Sequence, residues 1–311
     1  MQRGDDHVEA LDALKEAAIQ TSFTHLADAA RQREFYNSWR QRAREASTFQ
    51  FEEDDDCDDR TFEVFSFDFA QQVSYPSSPR SVGPEYFESA RKCGILGVHN
   101  ERTRVQCNYL IDEAASIGKG GNVVINLLHN FLSTVHSEVL ILFADNCVGQ
   151  NKNHAVMQYM MWCVQTGLNL RIELHFMISG HTRFSPDRNF GVLKFHYARS
   201  QVDCLEDLVQ IVHESSPKGF NIAVPTILNG TRNVVWLAWT EYLANYHCKF
   251  PAITKYHRFV FTPGDSIDVG LRSTSDLEYF PIQVAPVTWR RRLCYRGDCA
   301  ESTVARATVS I

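Results

Sequence analysis

The spacing of hydrophobic and polar positions changes several times along the chain, and each change predicts a new element. Between residues 5 and 47, Val8, Leu11, Leu14 and Ala18, and later Phe35 and Trp39, recur at helical intervals and predict one or two amphipathic helices. The second half of this stretch, RQREFYNSWRQRAREA, is basic and aromatic. It reads as the solvated face of a packing helix, with a nucleic-acid-binding arm as the alternative. From residue 61 the period becomes two, and TFEVFSFDFA predicts a strand. A loop rich in Pro, Ser and Gly (YPSSPRSVGP) leads to two further strands, CGILGVHN and RVQCNYLID. GKGGN then opens the helix VVINLLHNFLSTV, with Asn122 as its N-cap. EVLILFAD is an unbroken apolar run ending in an acid, the pattern of a strand buried on both faces. NHAVMQYMMWCVQT, closed by Gly167, predicts a buried helix, and LRIELHFMI a further strand. In SPDRNFGVLKFHYAR, Ser185 is the expected N-cap and Pro186 the first helical residue. Asp187 then falls in the first turn, where the helix dipole favours negative charge. DCLEDLVQIVHES closes the series as a helix with Asp203 and Glu206 at capping-box spacing.

The resulting order, three strands and then alternating helices and strands, is that of an RNase H-like α/β fold. Its first strand ends an antiparallel ribbon and also pairs with parallel strands joined by helices, which right-handed crossovers place on the sheet faces. Beyond about residue 217 the pattern weakens. VVWLAWTEYLANYH reads as a helix, and KYHRFVF and SIDVGLRS as strands joined across TPGD. The expected organisation is a helical N-terminal segment (1–50), an acidic linker (51–60), an RNase H-like mixed sheet flanked by helices (61–216), a small C-terminal α+β appendage (217–288) and a basic tail (289–311).

Composition adds bounds. With 44% hydrophobic and 22% charged residues over 311 positions, the chain has ordinary globular composition and can bury a sizeable core. It contains no apolar run long enough to span a membrane and no secretory leader at its start, so an intracellular, non-secreted protein without a membrane partner is expected. The 9 cysteines are scattered and odd in number, which points to free thiols in a reducing compartment. Cys294 and Cys299, in CYRGDC, have no second pair or histidine cluster to make a zinc site. The acidic run EEDDDCDD reads as a self-repelling loop. The net charge is −6, so any nucleic-acid contact must come from local patches or from a separate DNA-binding domain or subunit.

Against that background, three acids stand out. Asp68 lies in an aromatic strand between Phe67 and Phe69, and Asp145 ends the apolar strand LILFAD. An ionised carboxylate in such company is costly unless paired or bound to metal. The proposed order makes their strands neighbours and points Asp187 at the same place. Three converging carboxylates call for a raised pKa or a bound cation, and oxygen-only ligands select Mg²⁺ or Mn²⁺. Two such ions, roughly 3.5 to 4 Å apart, would clamp the attacking and leaving oxygens of a phosphodiester displacement. The loop after Asp145 offers Asn146, Gln150, Asn151 and Lys152 at a helix N-terminus, a ready anion site. His181 precedes Asp187, and Lys194 follows it by seven residues on the same helix face; both are candidates for phosphate contact.

VFSFDFAQQ, NYLIDEA with GKGGN, FADNCVGQNKN, and ELHFMISGHTRFSPDRNFG with VLKFHYAR resemble an uncharacterised family of transposon-associated proteins. Its members occur in many copies in some eukaryotic genomes and are thought to derive from DDE transposases. The resemblance runs from about residue 60 to 215, with weaker echoes in HLADAARQREFY and ITKYHRFVF. It implies an RNase H-like core in which Asp68, Asp145 and Asp187 match the acidic triad, the third acid being Asp instead of the commoner Glu. It further implies two Mg²⁺ or Mn²⁺ ions, transposon-end or related DNA as partner, a homo-oligomeric assembly and a nuclear location. The alternatives are an inactive relic or domesticated binding module that keeps only the fold, and an RNase H-superfamily nuclease acting on RNA or a hybrid.

Overall fold

The computed structural model describes residues 2–46, 62–80, 83, 89–115, 118, 120–178, 180, 183–245, 250, 252–264, 266–270 and 280–283. The expected acidic linker, His181, the Cys294/Cys299 pair and the basic tail lie outside them.

A single helix, α1 (Gln2–Glu45), precedes the antiparallel ribbon β1 (Phe62–Tyr75), β2 (Arg91–Asn100) and β3 (Gln106–Asp112). Then follow α2 (Gly121–Leu132), β4 (Val139–Ala144), α3 (His154–Gln165), β5 (Arg171–Phe176), α4 (Ser185–Tyr197) and α5 (Leu205–Glu214). The remainder comprises β6 (Asn221–Pro225), β7 (Ile227–Leu228), β8 (Thr231–Arg232), α6 (Trp239–Ala244), β9 (Arg258–Phe261), β10 (Ser266–Gly270) and β11 (Phe280–Gln283). Nine strands form one mixed sheet in the order β11-β10-β9-β5-β4-β1-β2-β3-β6, flanked by helices. β1 runs antiparallel to β2 and parallel to β4, with Phe67 opposite Ala144. No described helix is long and apolar enough to cross a membrane.

The side-chain alternation of the strands sorts the core into two faces. On one face Phe65, Phe67, Leu140, Leu142 and Ala144 pack with α2, α3 and Trp239 of α6. On the other, Val64, Ile141 and Phe143 pack beneath Tyr36 and Ala43 of α1, and Ile95 and Cys93 beneath Phe190 and Leu193 of α4. Gly97, paired with Asp68, lies under α4. A Cβ there would fall 2.7 Å from the Phe190 ring and 2.6 Å from Gln106 Nε2, so glycine is what lets α4 seat this close to the sheet. Gln32 fastens α1 at both ends of its amide, donating to the Phe176 carbonyl at 2.6 Å and accepting from the Ile178 N–H at 2.6 Å. Farther toward the N-terminus of α1, Leu14 is 69% exposed and Ala18 is exposed too, so this part of the expected apolar stripe does not face the core.

Several expectations need correction. The α2 cap is Gly120, not Asn122. Asn122 instead donates to the Leu237 carbonyl and accepts from the Thr240 N–H, while Asn126 bonds both backbone groups of Leu237. Those bonds hold residues 237–240 against α2, and among the described residues of VVWLAWTEYLANYH the helix spans Trp239–Ala244. Phe184 is the cap of α4, with Ser185 its first residue. The cap of α5 is Cys204, and Asp207, not Glu206, reaches back to the N–H groups of Asp203 and Cys204. The segment expected as an appendage extends the same sheet, β6 beside β3 and β9 beside β5.

Candidate functional site

Strand parity decides where the acids point. Val64 and Ser66 face α1, so Asp68, two residues on, shares that face, and its partner Gly97 lies beneath Phe190 of α4. Phe143 also faces α1 and Ala144 the opposite side, so Asp145 returns to the face of Asp68. The β1–β4 register puts Phe67 beside Ala144, and one further step brings Asp68 alongside Asp145. Asp187 enters from above, in the first turn of α4, where its carboxylate accepts from the Phe184 N–H at 3.2 Å. Asp68 and Asp145 likewise each accept the N–H of the following residue, at 2.8 and 2.7 Å.

Burial first, and then the negative charges of Asp145 and Asp187, push the Asp68 carboxyl up from 3.8 to about 7. Burial and Asp145 also raise Asp187, against the pull of Arg183 and Lys194. Asp68 and Asp187 therefore both feel the charge of Asp145. Among the described residues no three His, Cys, Asp or Glu side chains close into a ready metal cage. The acids form an open set of oxygen donors whose mutual repulsion a hard divalent cation would relieve, and in that chemical sense the residues fit Mg²⁺ or Mn²⁺.

The raised value has a consequence for stability. Between about 3.8 and about 7 the folded chain keeps a proton on Asp68 that the unfolded chain has released. The contribution of Asp68 is thus fully present below the lower value and is lost as pH rises through the upper one. In metal-free buffer, the melting temperature of the wild type should fall relative to Asp68→Asn as pH rises across this window. Parallel melting curves at every pH would refute the coupling.

The polar loop after Asp145 is only partly directed at the site. Asn146 and Gln150 are half-buried, and the Gln150 carbonyl accepts from Asn153, which caps α3 by accepting from Val156. Asn151 is fully buried and donates to the Asp145 carbonyl at 3.4 Å. Lys152 departs from the phosphate-contacting role expected of it. It is buried, its Nζ donates to the Thr254 carbonyl at 3.2 Å, and the charge sits 5.4 Å from the centre of the Phe176 ring. These contacts tie the loop to the chain segment before β9. Lys194 stays half-exposed near Asp187.

A neighbouring polar cluster gave no sequence signal. Glu101, in the β2–β3 turn, is fully buried. It accepts from the hydroxyls of Tyr36, Ser66 and Ser185, and pairs with Arg40 at 3.2 Å. His99 lies 3.7 Å from Glu101, and Asn189 of α4 bonds both His99 and Gln106. Burial drives His99 down to about 4, so it is neutral at ordinary pH. Ser185 and Asn189 bracket Asp187, so this cluster holds the turn of α4 that carries the third acid.

A protein family described as Domain of unknown function (DUF7869) matches residues 89–274, more than half of the chain, and the chain belongs to that family. The matched stretch contains Asp145 and Asp187 and begins after Asp68. No curated protein matches the chain. Among solved structures, the chain is similar to one described as "Crystal structure of NurA", at 8% identity and a TM-score of 0.19, covering 78% of this chain and 49% of that one. A second, "Crystal structure of NurA with manganese", matches at 10% identity and a TM-score of 0.18, covering 78% and 50%. The chain spans about half the length of these structures.

Proposed function

We propose that this member of the DUF7869 family is a transposase-derived protein whose RNase H-like core carries a two-metal, polynucleotidyl-transferase or nuclease-type site for DNA phosphodiesters. One observation carries the reading: Asp68, Asp145 and Asp187 reach one face of the sheet from β1, the end of β4 and the first turn of α4, and Asp145 raises the proton affinity of both others. The strand order β3-β2-β1-β4-β5, with β1 antiparallel to β2 and parallel to β4, supports the fold assignment.

In this reading Asp68 and Asp145 would hold divalent ions from the sheet, and Asp187 would complete the set from α4. When bound, Mg²⁺ or Mn²⁺ supplies the charge that activates an attacking hydroxyl and stabilises a leaving oxygen. The carboxylates need not transfer protons; they have only to be ionised together, which repulsion resists until cation charge is present. Lys194, whose charge acts on Asp187, and Asn146, whose N–H bonds Asp145, would orient a phosphate in this reading. Action on chromosomal DNA would put the protein in the nucleus. The second reading, a protein that keeps the fold without the chemistry, draws support from the net charge of −6.

Calorimetric titration of the full chain with MnCl₂ tests the two. Binding that disappears in the Asp68→Asn/Asp145→Asn double variant is the expected result. Identical heats from both proteins would mean that the acids are not ligands and would favour the inactive reading.

A further inference from the structure

We propose that the last two turns of α1 and the β2–β3 turn form a phosphate-binding pocket that holds a nucleic-acid backbone beside the carboxylate centre, a proposal that rests on the functional reading above. Asn37, Arg40, Gln41, Arg44 and Glu45 line an open hollow of about 580 Å³. Their intervals of three and four residues place them on one helix face. Arg104, in the β2–β3 turn, comes near enough for its charge to act on Arg44; its backbone is left-handed, φ 62°, and its N–H bonds the Asn100 carbonyl at 2.8 Å.

The charges in this hollow do not balance internally. Glu101 is buried beneath it and already accepts from Tyr36, Ser66, Ser185 and Arg40. Glu45 accepts from Gln41 at 2.7 Å. Arg40 is committed to Glu101 and to Asn37, at 3.2 and 2.9 Å. Arg44 Nε is buried, and no partner for it exists among the described residues. Burial and the charges of Arg40 and Arg104 together lower the proton affinity of the Arg44 guanidinium. Like charges gathered in a half-buried hollow repel one another unless an anion is shared between them. The planar guanidinium fork matches the paired oxygens of a phosphate.

Position links this hollow to the acids. Asn100, at the base of the turn, pairs with Phe65, three residues before Asp68 on β1, a separation of roughly 10 Å along the strand. The Glu101 oxygen that pairs with Arg40 also accepts from Ser185, two residues before Asp187. A strand whose reacting phosphate lay at the acids would pass the hollow within a few nucleotides. This local excess of positive charge also resolves how a chain of net charge −6 could hold nucleic acid.

The test is fluorescence anisotropy with a labelled single-stranded oligonucleotide, without divalent metal, over a series of salt concentrations and with inorganic phosphate as competitor. Arg44→Gln/Arg104→Gln should weaken binding about 10-fold and flatten the slope of log K against log salt by about 1.4, the loss of two phosphate contacts. Arg44→Lys/Arg104→Lys, which keeps the charge, should restore most of the slope, and inorganic phosphate should compete only weakly. Wild-type affinity and slope in the Gln variant would overturn the proposal, as would a wild-type chain that binds no oligonucleotide. Competition as effective as that of the oligonucleotide would show a site for free phosphate instead of a strand. Manganese calorimetry separates this failure from that of the carboxylate reading: either can fail while the other stands.

Discussion

Asp145→Asn is expected to abolish metal-dependent cleavage of a labelled DNA end while raising the melting temperature of the metal-free protein. Both effects have one cause. Asp145 is the charge that raises Asp68 and Asp187 together, so it is the centre of the repulsion. Asparagine has nearly the same shape, and its oxygen can still accept the Asn146 N–H that Asp145 accepts at 2.7 Å. The fold is therefore retained while the repulsion falls. The variant loses charge that a divalent ion would need, and because removal of residues that only support metal ligands costs about 10- to 100-fold in activity, loss of a residue proposed as a ligand should cost at least ~100-fold. Gain of stability with loss of activity is the signature of a site that the fold tolerates at a cost. The paired measurement is Mn²⁺-dependent cleavage and metal-free melting on the same preparations. Unchanged cleavage would remove every enzymatic version of the proposal. If cleavage is lost, strand-transfer products in the wild-type reaction identify a transposase-type reaction, whereas cleavage of an RNA or hybrid substrate without them identifies an RNase H-type nuclease.

What could be read in the chain beforehand was whatever depends on local period. The alternation of TFEVFSFDFA and the unbroken run of EVLILFAD mark β1 and β4, and with them the positions of Asp68 and Asp145. Pro186 and Asp187 mark the start of α4 to within one residue. Long-range contacts were not legible in this way. Asn122 has the composition of a cap, but tertiary bonds to Leu237 and Thr240 claim it. Lys152 has the composition of a phosphate contact, but the loop turns it inward toward Thr254. Nothing within VHNERTRV foretells that Glu101 is fully buried. Its partners there include Tyr36 and Arg40, which arrive from a helix some sixty residues earlier. The excess of arginine beside it arises in the same way, from two segments that meet only in the folded chain.

The same dependence makes Glu101 the position where a single substitution should damage the fold most. It is fully buried, and its two oxygens serve Tyr36, Ser66, Ser185 and Arg40 at once. Those four groups belong to α1, β1 and α4, so one carboxylate joins three elements. In Glu101→Ala, three hydroxyls lose their shared acceptor and Arg40 its counter-ion. Breaking a buried charged cluster by removing one member costs about 3 to 5 kcal/mol, because the remaining members stay desolvated. Tyr36→Phe removes one donor and leaves the carboxylate its other partners, so it should cost about 1 kcal/mol. Glu101→Gln should fall between them, since its amide NH₂ meets groups that all donate. Urea unfolding midpoints give the order. Manganese titration of whichever variants remain folded then tests the consequence for the site: because Ser185 anchors the turn bearing Asp187, affinity should fall in the same order as stability. A Glu101→Ala protein with wild-type stability would show that α1 and α4 are held to the sheet by their apolar contacts alone. Lost stability with unchanged manganese affinity would show that the cluster fastens α1 without positioning Asp187.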